Sequence, residues 1–149
     1  MMDPLLEFSK NYVFWTSFAA WAIAQTIKVA LGVLREKRFN FRWFVGTGGM
    51  PSSHAASVAA LSTSIGITYG FDSALFALAL TFTLIVMFDA QTVRFSTGRQ
   101  AKVLNKMLDD IYWKHKLDDE KLKEFLGHTP IQVFVGAALG IVVSLLMYK

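Results

Sequence analysis

At 149 residues the chain is sized for one domain, and no repeat or low-complexity segment divides it. It has no cysteine, which excludes disulfides, thiolate zinc sites and a cysteine nucleophile, and three histidines leave little for a histidine-rich metal centre. Hydrophobic residues make up 54% and the net charge is +4; long apolar runs alternate with charged ones, so a helical membrane protein is expected rather than a soluble core.

Residues 1–11 are short and polar. The first apolar run, Tyr12 to Leu34, is long enough to span a bilayer at about 1.5 Å per residue. Lys28 interrupts it, and a lysine inside a span is costly enough to be read first as functional. Arg35 follows seven residues later on the same helix face, so the two cations make an anion clamp. The competing reading is a lysine that snorkels to the nearby interface. Arg35 to Arg42 then mixes basic residues with Phe39 and Phe41, as interfacial loops do.

Gly46-Thr47-Gly48-Gly49-Met50-Pro51-Ser52-Ser53-His54 opens the second span. Pro51 suits a first helical turn, and Ser52 or Ser53 suits a cap. The N–H groups and positive dipole end of such a helix favour an anion such as phosphate. A histidine beside them is placed to donate a proton to a leaving oxygen. The same residues also fit an ordinary helix start with a spare histidine.

After the Gly70-Phe71-Asp72 turn, a third span leads to Asp89 and Arg94. Residues 99–126 carry Val103, Leu104, Met107, Leu108 and Ile111 at helical spacing with charges on other faces, which predicts an amphipathic interfacial helix. His115 falls in this charged stretch and reads as a solvated residue. Thr129, Pro130 and Gln132 form a capping box for the last span, along which Gly136 and Gly140 make a close-packing face.

The expected fold is therefore all-α: a single membrane domain, 1–149, with spans at about 12–34, 54–70, 73–93 and 130–148 and the interfacial segment between the third and fourth. An up-down path brings Lys28, Arg35, His54, Asp89, Arg94 and His128 to one membrane face. That face carries twelve lysines and arginines against Lys10 and Lys149 on the other, so it is expected to be cytoplasmic. The basic residues flank spans, which points to anionic lipid headgroups or a phosphorylated substrate as partner and not to nucleic acid. The Gly136/Gly140 face makes a homodimer a further expectation.

These residues resemble the divergent branch of the type-2 phosphatidic acid phosphatase superfamily, whose relatives include vanadium-dependent haloperoxidases. The superfamily pattern begins with lysine, six residues, then Arg-Pro; Lys28 and Arg35 match, with Glu36 at the proline. Its Pro-Ser-Gly-His is similar to Pro51-Ser52-Ser53-His54. Its third part is an arginine, a histidine and, four residues on, an aspartate. Here His128 matches, while Leu122 and Gln132 stand at the arginine and aspartate positions. The divergent branch has instead a segment resembling Asp89…Val93-Arg94…Gly98-Arg99-Gln100-Ala101…Leu104-Asn105.

The resemblance implies a membrane-embedded phosphatase acting on a lipid phosphate or pyrophosphate. His128 would attack phosphorus, His54 would protonate the leaving oxygen, and Lys28, Arg35, Ser52, Ser53 and Arg94 or Arg99 would hold the phosphoryl group. Asp89 and Gln132 are the candidates for orienting a histidine or pairing a cation. No metal or other cofactor is implied. The rival reading is a non-catalytic lipid-phosphate binder or scaffold; a transporter fits less well, since no inverted repeat is visible. The expected setting is the plasma membrane of a prokaryote.

Overall fold

The computed structural model describes residues 3–37, 49–92, 100, 103–107 and 128–149, with residues 35 and 36 described by their backbone alone. Each helix begins where the sequence supplies a cap. Asp3 accepts from Leu5 N–H at 3.0 Å and Pro4 opens the short α1 (Pro4–Ser9). Asn11 accepts from Phe14 N–H at 3.0 Å to start α2 (Tyr12–Glu36), which stops at Lys37 in the left-handed region with φ 51. Ser52 starts α3 (Ser53–Tyr69), which ends at Gly70 with φ +92, a conformation glycine adopts readily. Ser73 accepts from Phe76 N–H at 3.1 Å at the head of α4 (Ala74–Gln91). Thr129 and Pro130 open α5 (Pro130–Met147). Residues 103–107 are helical too, with Val103, Leu104 and Met107 exposed and Asn105 buried. The rest of the segment expected to be interfacial lies outside the described residues.

Two sets of contacts fix the directions of the helices. At one end Tyr12 packs edge-on to Tyr148 with ring centres 5.0 Å apart, its hydroxyl donates to the Met147 carbonyl, and Thr68 donates to the Tyr148 hydroxyl at 3.0 Å. That end gathers the start of α2 and the ends of α3 and α5. At the other end Ser52 N–H donates to the Gln132 carbonyl at 3.0 Å, and His128 N–H donates to the Ala90 carbonyl at 3.3 Å. So α2 and α4 run toward that second end and α3 and α5 run away from it.

The helix α3 is the interior element, packing against α2, α4 and α5. Its buried residues are small: Ala55, Ala56, Ala59, Ala60, Ser62, Ser64 and Gly66 among them. Small side chains let backbones approach, and here they do. A Cβ on Gly136 would lie 2.3 Å from the Ser52 carbonyl oxygen, and one on Gly140 would lie 2.1 Å from that of Ala56. The close-packing face read from the two glycines is therefore occupied within the chain, by α3. Ala20 and Ala24 of α2 complete the same core with Ala56, Ala60 and Val143.

Among the described residues, three helices are long and apolar enough to cross a membrane: Tyr12–Leu34, Ala74–Gln91 and Pro130–Met147, with mean hydropathies of 1.5, 1.8 and 2.2. Large apolar side chains such as Leu84, Ile85, Phe88, Phe134 and Leu146 point outward from them. In water such a surface would drive aggregation; against lipid tails it is the stable arrangement. The protein is an integral membrane protein.

Candidate functional site

The end where Ser52 meets Gln132 collects the residues of chemical interest. Pro51, Ser52 and Ser53 are all buried. Ser52 Oγ accepts from Ala55 N–H at 3.4 Å, and Ser52 N–H is committed to Gln132. Ser52 therefore builds the helix start rather than offering its own N–H to an anion. Ser53 is the first helical residue, a position whose N–H no intrahelical carbonyl reaches. An anion above α3 would meet backbone donors and the dipole at this point. His54 comes next and is exposed.

His128 sits just ahead of α5 and is only 3% exposed. Two bonds fix it. Its backbone N–H reaches the Ala90 carbonyl, and its ring Nδ1 lies 3.3 Å from Gln132 Oε1. The same Oε1 accepts from Thr129 N–H at 3.1 Å, which is one half of the expected capping box. Gln132 thus ties three things together: the cap of α5, the ring of His128, and through its carbonyl the start of the helix that bears His54. Beneath them Ala55, Ala90 and Val133, with Met87 against them, form a small apolar plug that joins α3, α4 and α5.

Lys28 reaches the same end from α2. Gly49, at φ +83, lies directly under its aliphatic chain: a Cβ there would be 3.3 Å from Lys28 Cγ and 3.5 Å from Cδ. The aliphatic chain of this lysine is thereby laid over the turn that leads into Pro51. Asp89 is half-buried and precedes the residue whose carbonyl takes the His128 N–H. Arg35 lies in the last turn of α2, and its side chain is outside the described residues, as are Arg94 and Arg99 entirely.

The residues brought together are then Lys28, Ser52, Ser53, His54, Asp89, His128 and Gln132, drawn from four helices. Two positions were not singled out in the sequence. Gly49 carried a signal, since a Gly-Gly pair before proline marks a turn needing positive φ. Ala90 carried none, because it acts through its carbonyl and any residue has one.

A cation, a helix start and two histidines at one end of a bundle can bind an oxyanion and move a proton to or from it. The model of the family described as the divergent PAP2 family matches residues 9–143. The uncharacterized membrane protein YuiD of Bacillus subtilis (strain 168) is 40% identical over 153 residues, covering 95% of this chain and 97% of that relative. No solved structure matches.

Proposed function

The chain belongs to the divergent PAP2 family, and on that premise we propose that it is a membrane-embedded phosphatase that hydrolyses a lipid phosphate or pyrophosphate. One observation carries the reading: the Ser52 N–H bond to the Gln132 carbonyl, 3.0 Å long, which joins the helix start bearing His54 to the one bearing His128. A lone helix start with a histidine is common. Two of them strapped together beneath an intramembrane lysine have a use in phosphoryl transfer, where catalysis is mainly positioning and charge stabilisation.

In the proposed reaction a lone pair of the His128 ring forms a bond to phosphorus as the bond from phosphorus to the leaving oxygen breaks. His54 gives its proton to that oxygen, and Lys28 and the Ser53 N–H balance charge on the equatorial oxygens. Arg35 and Arg94 or Arg99 belong to the same clamp. Water then attacks the phosphohistidine, His54 takes back a proton, phosphate leaves and both histidines return to their first state. The lipid tail stays among the apolar helices. We place α3 as a fourth span and the site face in the cytoplasm of the plasma membrane, on the twelve basic residues of that face.

Phosphate release by purified protein in detergent tests this, using phosphatidic acid, a prenyl phosphate and a prenyl diphosphate with and without vanadate. Release that vanadate suppresses and His128→Ala abolishes is expected. Equal release by His128→Ala would remove the nucleophile. A second reading has one observation behind it: Gln132 is neutral where the superfamily pattern has an aspartate, as in a site that binds lipid phosphates without turning them over. Vanadate binding without release from any substrate would select it.

A further inference from the structure

Near the middle of the Tyr12–Leu34 span stands Gln25, only 6% exposed. An amide costs free energy to take out of water, and a polar residue kept inside a span is read first as functional. Joining helices is a task that hydroxyls already perform on α2. Ser17 donates to the Ser57 carbonyl at 2.9 Å and ties α2 to α3, while Thr16 and Thr26 donate to the Tyr12 and Ala22 carbonyls of their own helix at 2.9 and 2.8 Å. The position of Gln25 points to a different task. Residues three apart on a helix are neighbours, and long side chains lean back over the preceding turn. The chain of Lys28 therefore runs over the turn that holds Ala24 and Gln25, and its Cγ and Cδ would stand 3.3 and 3.5 Å from a Cβ on Gly49. The Ser17–Ser57 pair gives the height. Because α2 and α3 run in opposite directions, each step up α2 from Ser17 is a step toward the start of α3. Gln25, two turns on, stands level with the residues that enter α3 ahead of Ser53.

We propose that Gln25 is a further ligand of the oxyanion site: its side-chain NH2 donates to a phosphoryl oxygen beside the Lys28 ammonium. This role rests on the anion site proposed above and not on turnover. Lys28 supplies charge, which attracts any anion. The amide supplies direction, since its two donors lie in one plane and its side chain is buried. A neutral donor next to the cation also adds a hydrogen bond without placing a second charge inside the membrane.

The test is vanadate affinity of the full chain in detergent, with vanadate alone as the probe and each variant read as a ratio to wild type at the same pH. That ratio cancels the titration of vanadate itself. Gln25→Met keeps bulk and removes the donors, so its affinity should fall about 10- to 100-fold, the scale of a hydrogen bond to a charged group. Gln25→Glu keeps the shape. At about pH 8 its carboxylate faces the anion and affinity should fall further than in Gln25→Met; toward about pH 5 the carboxyl takes up a proton, regains a donor and should recover part of the loss. A glutamine with a purely structural role would lower the melting temperature in both variants and leave the affinity of the folded protein unchanged at either pH. A folded Gln25→Met that binds vanadate as wild type does overturns the proposal, and so does a Gln25→Glu whose ratio is the same at both pH values. The second variant is nearly isosteric, which keeps the test open if Gln25→Met does not fold. The two readings fail separately. Weakened vanadate binding in Gln25→Met, with no phosphate release by wild type from phosphatidic acid, keeps the ligand and removes the phosphatase. Release by wild type with unweakened vanadate binding in Gln25→Met does the reverse, and a wild type that binds no vanadate removes the ligand together with its site.

Discussion

The two neighbours that α3 holds on either side of the site are attached in opposite ways. Against α5 it packs backbone on backbone: Gly136 and Gly140 leave no room for a Cβ, and Ser144 donates to the Ala60 carbonyl at 3.0 Å. Against α4 the attachment is made of side chains. Ala90 and Met87 rest on Ala55, Thr83 donates to the Val58 carbonyl at 2.8 Å, and large residues such as Leu84, Ile85 and Phe88 face away. The α3–α5 seam carries both histidines and the strap between them. The α4 contact contributes a carbonyl and Asp89, and its outer face is lipid contact.

The seam is where the largest effects belong. Gly136→Ala and Gly140→Ala each put a methyl group into backbone atoms that have no rotamer to yield, so each should cost about 1–3 kcal/mol or more. The two should differ in kind. Gly136 lies under Ser52, and separation there breaks the strap to Gln132; Gly140 lies one turn deeper, under Ala56. Thermal unfolding in detergent should fall for both. Phosphate release per folded molecule should fall much further for Gly136→Ala. Equal losses for the two would mean that the seam is a uniform structural contact with no special tie to the site.

This contrast was only half legible in the sequence. Apolar runs announce helices by length alone, and small polar residues with proline announce their starts, so the beginnings at Ser52 and Thr129 could be read directly. The short α1 had the same signal, Asp3 followed by Pro4, in a stretch that otherwise reads as a polar tail. The convergence of Lys28, His54 and His128 followed from an up-down path. What could not be read was pairing. The glycines at 136 and 140 declare a close contact but not its partner, which within the chain is α3. Nor does composition mark α3 as central: its alanines and serines are less apolar than its neighbours' leucines, and small size is what puts them inside. Gln132 was ambiguous for a related reason. Its capping role follows from local spacing, whereas its contact with His128 depends on how the chain turns ahead of the helix.

An intermediate effect belongs to the turn beneath Lys28. Gly49→Ala would place an L side chain at φ +83, costing about 1–2 kcal/mol, and would push a methyl group to 3.3 Å from Lys28 Cγ. Lys28 can move, so the fold should survive while the ammonium shifts. Vanadate affinity, measured by displacement in detergent, should drop, and in Lys28→Met the same glycine change should cost no further affinity. Unchanged vanadate binding in Gly49→Ala would detach Lys28 from the anion site and return it to the interface.

The smallest effects should come from α4, and their smallness is informative. Thr83→Val removes the hydroxyl that donates to the Val58 carbonyl at 2.8 Å while keeping the branched shape of the side chain. In a membrane such a bond is worth about 0.6 kcal/mol, because the separated helices also find partners for their polar groups. The same hydroxyl donates within its own helix to the Ala79 carbonyl at 2.9 Å, which dilutes the loss further. Leu84→Ile, on the exposed face, exchanges one apolar surface for another against lipid and should change stability by less still. Steric-trap or reversible unfolding measurements in micelles resolve differences of this size when the variants are compared side by side. If Thr83→Val costs several kcal/mol, α4 is held as tightly as α5 and the rigid unit of the protein includes it. If it costs a few tenths, α4 is the element that can shift while the α3–α5 seam stays fixed, and the distance from Asp89, near its end, to His128 would shift with it.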